Sequence, residues 1–123
     1  MGSFGMWETF TPPGKGPAPH IHTRETEVFR VIRGTYRFWR GDDVFDAPVG
    51  SVVVLPTHVR HCRRNISDEL GQMFAIVTPC GFEQLFVEIE ANDLVRADQI
   101  AKLEARLGII NDETNLLRTN ART

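Results

Sequence analysis

Residues 16–34 read GPAPHIHTRETEVFRVIRG, and the parity of this stretch governs the fold. Side chains two apart on a strand share a face. His20 and His22 therefore point the same way and could converge on one ion as neutral imidazoles. Glu27 lies five positions beyond His22, so a single unbroken strand would send it to the opposite face. The polar segment TRET, residues 23–26, has to bend or bulge if Glu27, Phe29 and Val31 are to share the inward face. Glu25 has the same parity as Glu27, so parity leaves the choice between the two carboxylates open.

Outward from this stretch, runs rich in Val, Ile, Phe, Tyr and Trp alternate with Gly, Pro and Asp. They are MWETFT (6–11), EVFRVIRG (27–34), TYRFWRGDD (35–43), DVFDAPVG (43–50), SVVVLP (51–56) and QMFAIVTP (72–79). Gly34 reads as a hairpin turn between the second and third runs. Short strands at this spacing predict an all-β sandwich or barrel over about residues 3–80. After Pro79 the period changes: Phe82, Leu85, Phe86 and Ile89 recur at helical spacing, as do Ile100, Leu103 and Leu107. Asp98 suits an N-cap and Gly108 a C-cap. C-terminal helices over about 82–108 are expected to pack outside the barrel, followed by a frayed polar tail at 118–123. No internal repeat or low-complexity linker divides the chain, and one domain over 1–123 is expected.

A second histidine cluster follows in GSVVVLPTHVRHCRRN, residues 50–65. An apolar strand runs into Pro56, a turn carries His58, and His61 opens the next strand. One such histidine is ordinarily structural. Two clusters, each at the end of an apolar strand, argue for a shared site.

At this point the sequence resembles the cupin superfamily. Gly14, His20, His22, Glu27 and Gly34 match its first motif, G-x5-HxH-x3–4-E-x6-G, at every spacing. Gly50, Pro56, His61 and Asn65 match the second, G-x5-PxG-x2-H-x3-N, with His58 standing where the pattern has glycine. The resemblance covers residues 14–65. It implies an all-β jelly-roll barrel holding one divalent transition metal (Fe, Mn, Ni, Cu or Zn) on His20, His22, Glu27 and His61, and so prefers Glu27 to Glu25. Three imidazoles and a carboxylate suit those ions and leave positions for water, oxygen or substrate. It further implies a small enzyme, first of all a metal-dependent dioxygenase, an oxidoreductase of the quercetinase-like kind acting on a small chelating organic substrate. A redox-neutral lyase, isomerase or decarboxylase and a non-catalytic ligand-binding module are the alternatives.

The candidate catalytic groups are Glu27, as a ligand that doubles as base, together with Tyr36 and His58. Each has a plainer reading. Tyr36, the sole tyrosine, sits in a strand run where packing is the usual role. His58 occupies a turn position that needs positive φ, which histidine tolerates better than most residues. Arg63 shares the face of His61 and could meet an anionic substrate, although a solvated salt bridge is the ordinary expectation. Cys62 has the opposite parity and should point away from the metal. Cys80 precedes a predicted helix, where a thiolate would be stabilised. Phe29, Phe38, Met73 and Phe74 are core by default.

Composition narrows the partners. The 123 residues are 41% hydrophobic and 24% charged, with a formal net charge of −2. That balance offers no global attraction to nucleic acid or to acidic membranes, so a small-molecule substrate is expected instead. The charge is uneven, with Arg in excess before residue 65 and acid in excess after it, which reads as solvated strand faces. No apolar run is long enough to span a bilayer, and no apolar leader follows Met1. Two cysteines form neither a metal motif nor a disulfide framework, which fits reduced thiols in a cytoplasmic protein. Apolar residues on both faces of a strand, Val28 and Ile32 opposite Phe29 and Val31, imply a covered outer face; a second sheet, the C-terminal helices or a partner subunit could cover it, and a homodimer is expected.

Overall fold

The computed structural model describes residues 3–79, 102 and 104–111. Its strands are β1 (Gly5–Thr11), β2 (His20–His22), β3 (Thr26–Arg33), β4 (Tyr36–Arg40), β5 (Asp43–Ala47), β6 (Val52–Leu55), β7 (His61–Asn65), β8 (Gly71–Thr78) and β9 (Ile109–Asn111). They form two antiparallel sheets, one in the order β1-β8-β3-β6 and the other β5-β4-β7-β2-β9. The all-β jelly-roll expectation holds. Among the described residues no helix is long and apolar enough to cross a membrane.

The period of two is visible in burial. On β8, Gly71, Met73, Ala75 and Val77 are buried while the residues between them are partly exposed. On β3, Glu27, Phe29 and Val31 face inward, as parity required. Val28 is only half-buried and Ile32 is exposed. Phe29, Val31, Tyr36, Phe38, Ala47, Val53, Leu55, Met73 and Ala75, drawn from both sheets, make the core between them. Phe38 lies at its centre, with ring centroids 6.4 Å from those of Phe29 and Tyr36 and 5.7 Å from that of Phe45. Burying each large apolar side chain contributes about 1.5–3 kcal/mol. Phe74 sits on the other face of β8, outside this core.

The parity problem of TRET is solved by a change of sheet. β2 belongs to the five-stranded sheet and β3 to the four-stranded one, so residues 23–25 carry the chain across the barrel. The crossing is tied down at its start. His22 accepts a backbone hydrogen bond from the His58 N–H at 2.9 Å, and the Thr23 N–H and hydroxyl both donate to the Gly108 carbonyl, at 2.9 and 2.6 Å.

Two expectations change, and a third lies largely outside the described residues. Gly34 is not a hairpin turn, because β3 and β4 lie in different sheets and do not pair. It is a crossing point with φ +82°, and a Cβ there would come within 2.9 Å of Ser67 Oγ. The tight hairpin is instead β4–β5, where Arg40 pairs with Asp43 around Gly41 and Asp42. Next, β9 extends the barrel sheet well beyond residue 80 by pairing with β2, His22 opposite Ile109. A three-residue strand carries too short a pattern to be read from sequence. Last, most of the C-terminal helical segment expected at 82–108 lies outside the described residues, as do Cys80 and the polar tail. Within that segment 102 and 104–106 are helical, and Gly108, at φ +84°, ends the turn as a C-cap should.

Candidate metal centre

Four side chains converge at one end of the barrel. β2 supplies His20 and His22 on its inward face, and β7 pairs with it so that His61 stands opposite His20. Glu27 arrives from the facing sheet, in register with Leu55 and Val77. His22, Glu27 and His61 are at most 2% exposed, and His20 is 9% exposed. One donor atom from each of the four lies within 4.8 Å of the others. Glu27 Oε1 is 3.2 Å from Nε2 of His22 and 3.2 Å from Nε2 of His61. Two donors each about 2.1 Å from one ion, at tetrahedral to octahedral angles, stand about 3.0–3.4 Å apart. The spacing fits a shared ion.

The second ring nitrogens settle which lone pairs face the centre. His20 Nδ1 is 2.7 Å from the Ala18 carbonyl, His61 Nδ1 is 3.1 Å from the Val59 carbonyl, and His22 Nδ1 is 3.2 Å from Glu25 Oε1. All three partners are oxygens that accept, so each Nδ1 carries the proton and donates it. Each neutral ring then turns an unprotonated Nε2 inward, the form a metal requires. The buried Nε2 of His61 and Oε1 of Glu27, although 3.2 Å apart, form no aligned hydrogen bond with each other. Both point at a common position, which is what ligation explains.

Electrostatics agree. Burial, with help from His61 and His22, pulls the His20 pKa down to about 3, so this imidazole is neutral at neutral pH. Burial pushes the Glu27 carboxyl up, but the His61 and His22 rings and the Arg63 guanidinium outweigh it and hold the group below its ordinary value. A neutral His20 beside a carboxylate held ionised is a donor pair suited to a divalent cation.

Not every candidate from the sequence joins this group. Tyr36 is fully buried in the core, pairs with Ala47 and Asn65, and its hydroxyl abuts Gly71 at the far end of the β7 face. His58 is exposed in its turn at φ 67°, and its backbone, rather than its ring, is tied to the site through the carbonyl of His22. His58 is not among the side chains whose donor atoms gather within 4.8 Å of one another. Cys62 points away as parity required, into the opposite face of β7, where it is buried beside its register partner Trp39. Two roles escape a reading of the sequence. Glu25 is 4% exposed and serves as the acceptor behind His22, so the two glutamates take opposite sides of one ring. Arg63 is not solvated in a salt bridge; its guanidinium lies over the Phe29 ring, 4.6 Å from the centroid, inside the barrel.

The family model described as Cupin domain matches residues 7–77 of the chain. No curated protein matches the chain. Among solved structures, it is similar to an uncharacterized conserved protein with a double-stranded beta-helix domain from Klebsiella pneumoniae, at TM-score 0.59 and 20% identity over 64% of this chain and 70% of that one. It is also similar to KdgF from Halomonas sp., at TM-score 0.63 and 15% identity over 68% and 76% of the two chains. A predicted oxalate decarboxylase from Thermotoga maritima gives TM-score 0.57 and 19% identity, over 59% of this chain and 64% of that chain, less than two thirds of its length. At these identities the likeness concerns the fold.

Proposed function

Since the chain belongs to the cupin family, we propose that it is a metal-dependent enzyme holding one divalent transition ion on His20, His22, Glu27 and His61, and acting on a small chelating organic substrate. The observation that carries this reading is the locked tautomer of all three imidazoles around one buried carboxylate. When bound, the ion would polarise a chelating oxygen of the substrate or activate dioxygen, depending on its identity. The chain supplies the rest. Phe29 and Phe38 wall the interior and exclude bulk water, which strengthens every charge interaction there. Glu27, held anionic, is the base nearest any substrate proton that ligation acidifies.

Oxygenase chemistry is the first reading, because a histidine-rich site with open positions suits iron, manganese or nickel with a chelated, enolisable substrate. The test follows oxygen consumption by protein loaded with each of these metals, against flavonols, diketones and hydroxy acids. Product formed under strict anaerobiosis would assign that substrate to the redox-neutral class of lyase, isomerase or decarboxylase. Arg63 favours this second reading, since a buried cation next to the site suits an acid substrate.

For assembly, we propose a homodimer formed through the outer face of the four-stranded sheet. Met6, Ile76, Val28 and Val54 stand side by side across all four strands, with Met6 54% and Val54 45% exposed. A specific interface buries about 800 Å² per partner. Solution scattering should return twice the chain mass for wild type and the chain mass for V54E; a monomeric wild type overturns the dimer.

A further inference from the structure

β3 and β7 face each other across the barrel and step away from the metal centre in parallel. Their first inward pair is Glu27 and His61, and two residues along each strand the next is Phe29 and Arg63. That second layer lies about 7 Å along the strands from the first. The Arg63 guanidinium carbon lies 4.6 Å from the Phe29 ring centroid, its Nε is fully enclosed, and it makes no hydrogen bond or salt bridge with any described residue. Arg40, on the same inward face of the neighbouring strand, is different. It donates from Nη1 to the Val54 carbonyl at 3.1 Å and sits over Phe45. Arg63 is thus the inward cation left with donors to offer.

Charge points the same way. Glu27 is the only acidic group of the donor set, and a divalent ion would take up its charge. Arg63 would then leave the interior with excess positive charge, and a buried charge without a partner is costly. A guanidinium set over an aromatic ring keeps N–H groups that can receive a carboxylate through two parallel hydrogen bonds.

We propose that Arg63 is the carboxylate-binding residue of this barrel, and that the ligand is a small organic acid with one oxygen-bearing end at the metal and a free carboxylate on Arg63. The assignment rests on the metal-centre reading above and names the substrate class of that site. It is tested by calorimetric titration of zinc-loaded protein, whose metal content is measured by mass spectrometry alongside. The probes are succinate and 2-oxoglutarate, with acetylacetone as a chelator that carries no carboxylate. Wild type should bind the two acids, and Arg63→Met should weaken them about ten- to a hundredfold, as losing a charged hydrogen-bonded pair does. Arg63→Lys should fall between, and acetylacetone should bind both proteins alike. Equal affinity of wild type and Arg63→Met for succinate, at equal zinc content, overturns the assignment while leaving the metal centre intact. Loss of zinc from Arg63→Met makes the residue a structural one and overturns it too. A wild type that takes up no metal overturns the metal centre itself, and Arg63 with it. Should Arg63→Met not fold, succinate against its monomethyl ester on wild type decides: equal affinities reject the proposal.

Discussion

Glu25 stands behind His22, its Oε1 3.2 Å from Nδ1, on the side of the ring away from Glu27. The carboxylate is buried at 4% exposure, so the contact is not diluted by solvent. It fixes the His22 proton on Nδ1 and raises the basicity of Nε2, the role outer partners play around metal-binding imidazoles. Glu25→Ala should therefore lower metal affinity about ten- to a hundredfold without removing a ligand. Glu25→Gln, which keeps an accepting oxygen, should lose less. Competition with a chromophoric chelator measures both, and unchanged affinity in Glu25→Ala would reject the role.

The ligands themselves should behave differently from Glu25. His61→Ala or His20→Ala removes one of four donors, and bound metal should drop from one equivalent to a small fraction of that. In wild type, stripping the ion with a chelator should lower the melting temperature, because a ligand that binds only the folded state stabilises it by mass action. Metal analysis after dialysis checks the first expectation and calorimetry the second. Full metal occupancy in either histidine variant would show that the ion sits elsewhere.

Much of this site is legible in the sequence, and the reason is local. The HIH pair shares a face by strand parity alone, which a period of two reports directly, whereas the choice of Glu27 over Glu25 and the partnership with His61 come from the motif spacing of the family it resembles. What sequence does not reveal depends on which sheet a strand joins. Gly34 reads as a hairpin turn because nothing local distinguishes a turn within a sheet from a crossing between sheets. Arg63 reads as a solvated residue because its shelter is the Phe29 ring, more than thirty positions away and on the opposite sheet. The same holds for β9, whose place beside β2 is fixed by hydrogen bonds from Thr23 to Gly108.

Acid should destabilise the metal-free protein. The folded chain holds His20 near pKa 3, whereas the unfolded chain returns it to 6.5. Between those values the unfolded state binds the extra proton, so stability rises with pH. The contribution is complete above pH 6.5 and is lost progressively as pH falls toward 3. Glu27, whose pKa is lowered in the fold, acts in the same direction at the acidic end. Denaturant midpoints of apo protein should therefore fall through this window, and His20→Ala should flatten the upper part. A midpoint that is level from pH 7 to 4 in apo wild type contradicts the burial of a neutral His20.

Cys62 should be a silent thiol. Burial raises its pKa to about 11, against the opposing pull of Arg60, Arg64 and Arg63. With the thiolate disfavoured and the sulfur enclosed, nucleophilic reaction at neutral pH is suppressed twice. In Cys80→Ser, native protein should give no titre with Ellman's reagent at pH 8, and denatured protein one equivalent. Rapid native labelling would mean that the outer face of β7 is open.

The glycine that matters most sterically lies outside the family motif. Gly14, the motif position, has φ +75° but open space where a Cβ would stand, so Gly14→Ala meets only the backbone cost of about 1 kcal/mol. At Gly16 a Cβ would run into the Arg63 carbonyl oxygen and crowd the backbone of Arg64. Those atoms belong to β7, which pairs with β4 along its whole length, Arg63 opposite Phe38 and Arg64 opposite Arg37, so they can move aside only with the sheet. Gly16 is held there by its neighbours, since Gly14 donates to the Asn65 carbonyl at 2.8 Å and Asn65 donates to that of Lys15 at 2.9 Å. Gly16→Ala should thus cost about 1–3 kcal/mol, as overpacking does. Because the approach to His20 hangs on this contact, metal affinity should fall with it, whereas Gly14→Ala should leave affinity unchanged. Urea unfolding and chelator competition on the two variants make the comparison, and equal effects would remove Gly16 from any part in positioning the site.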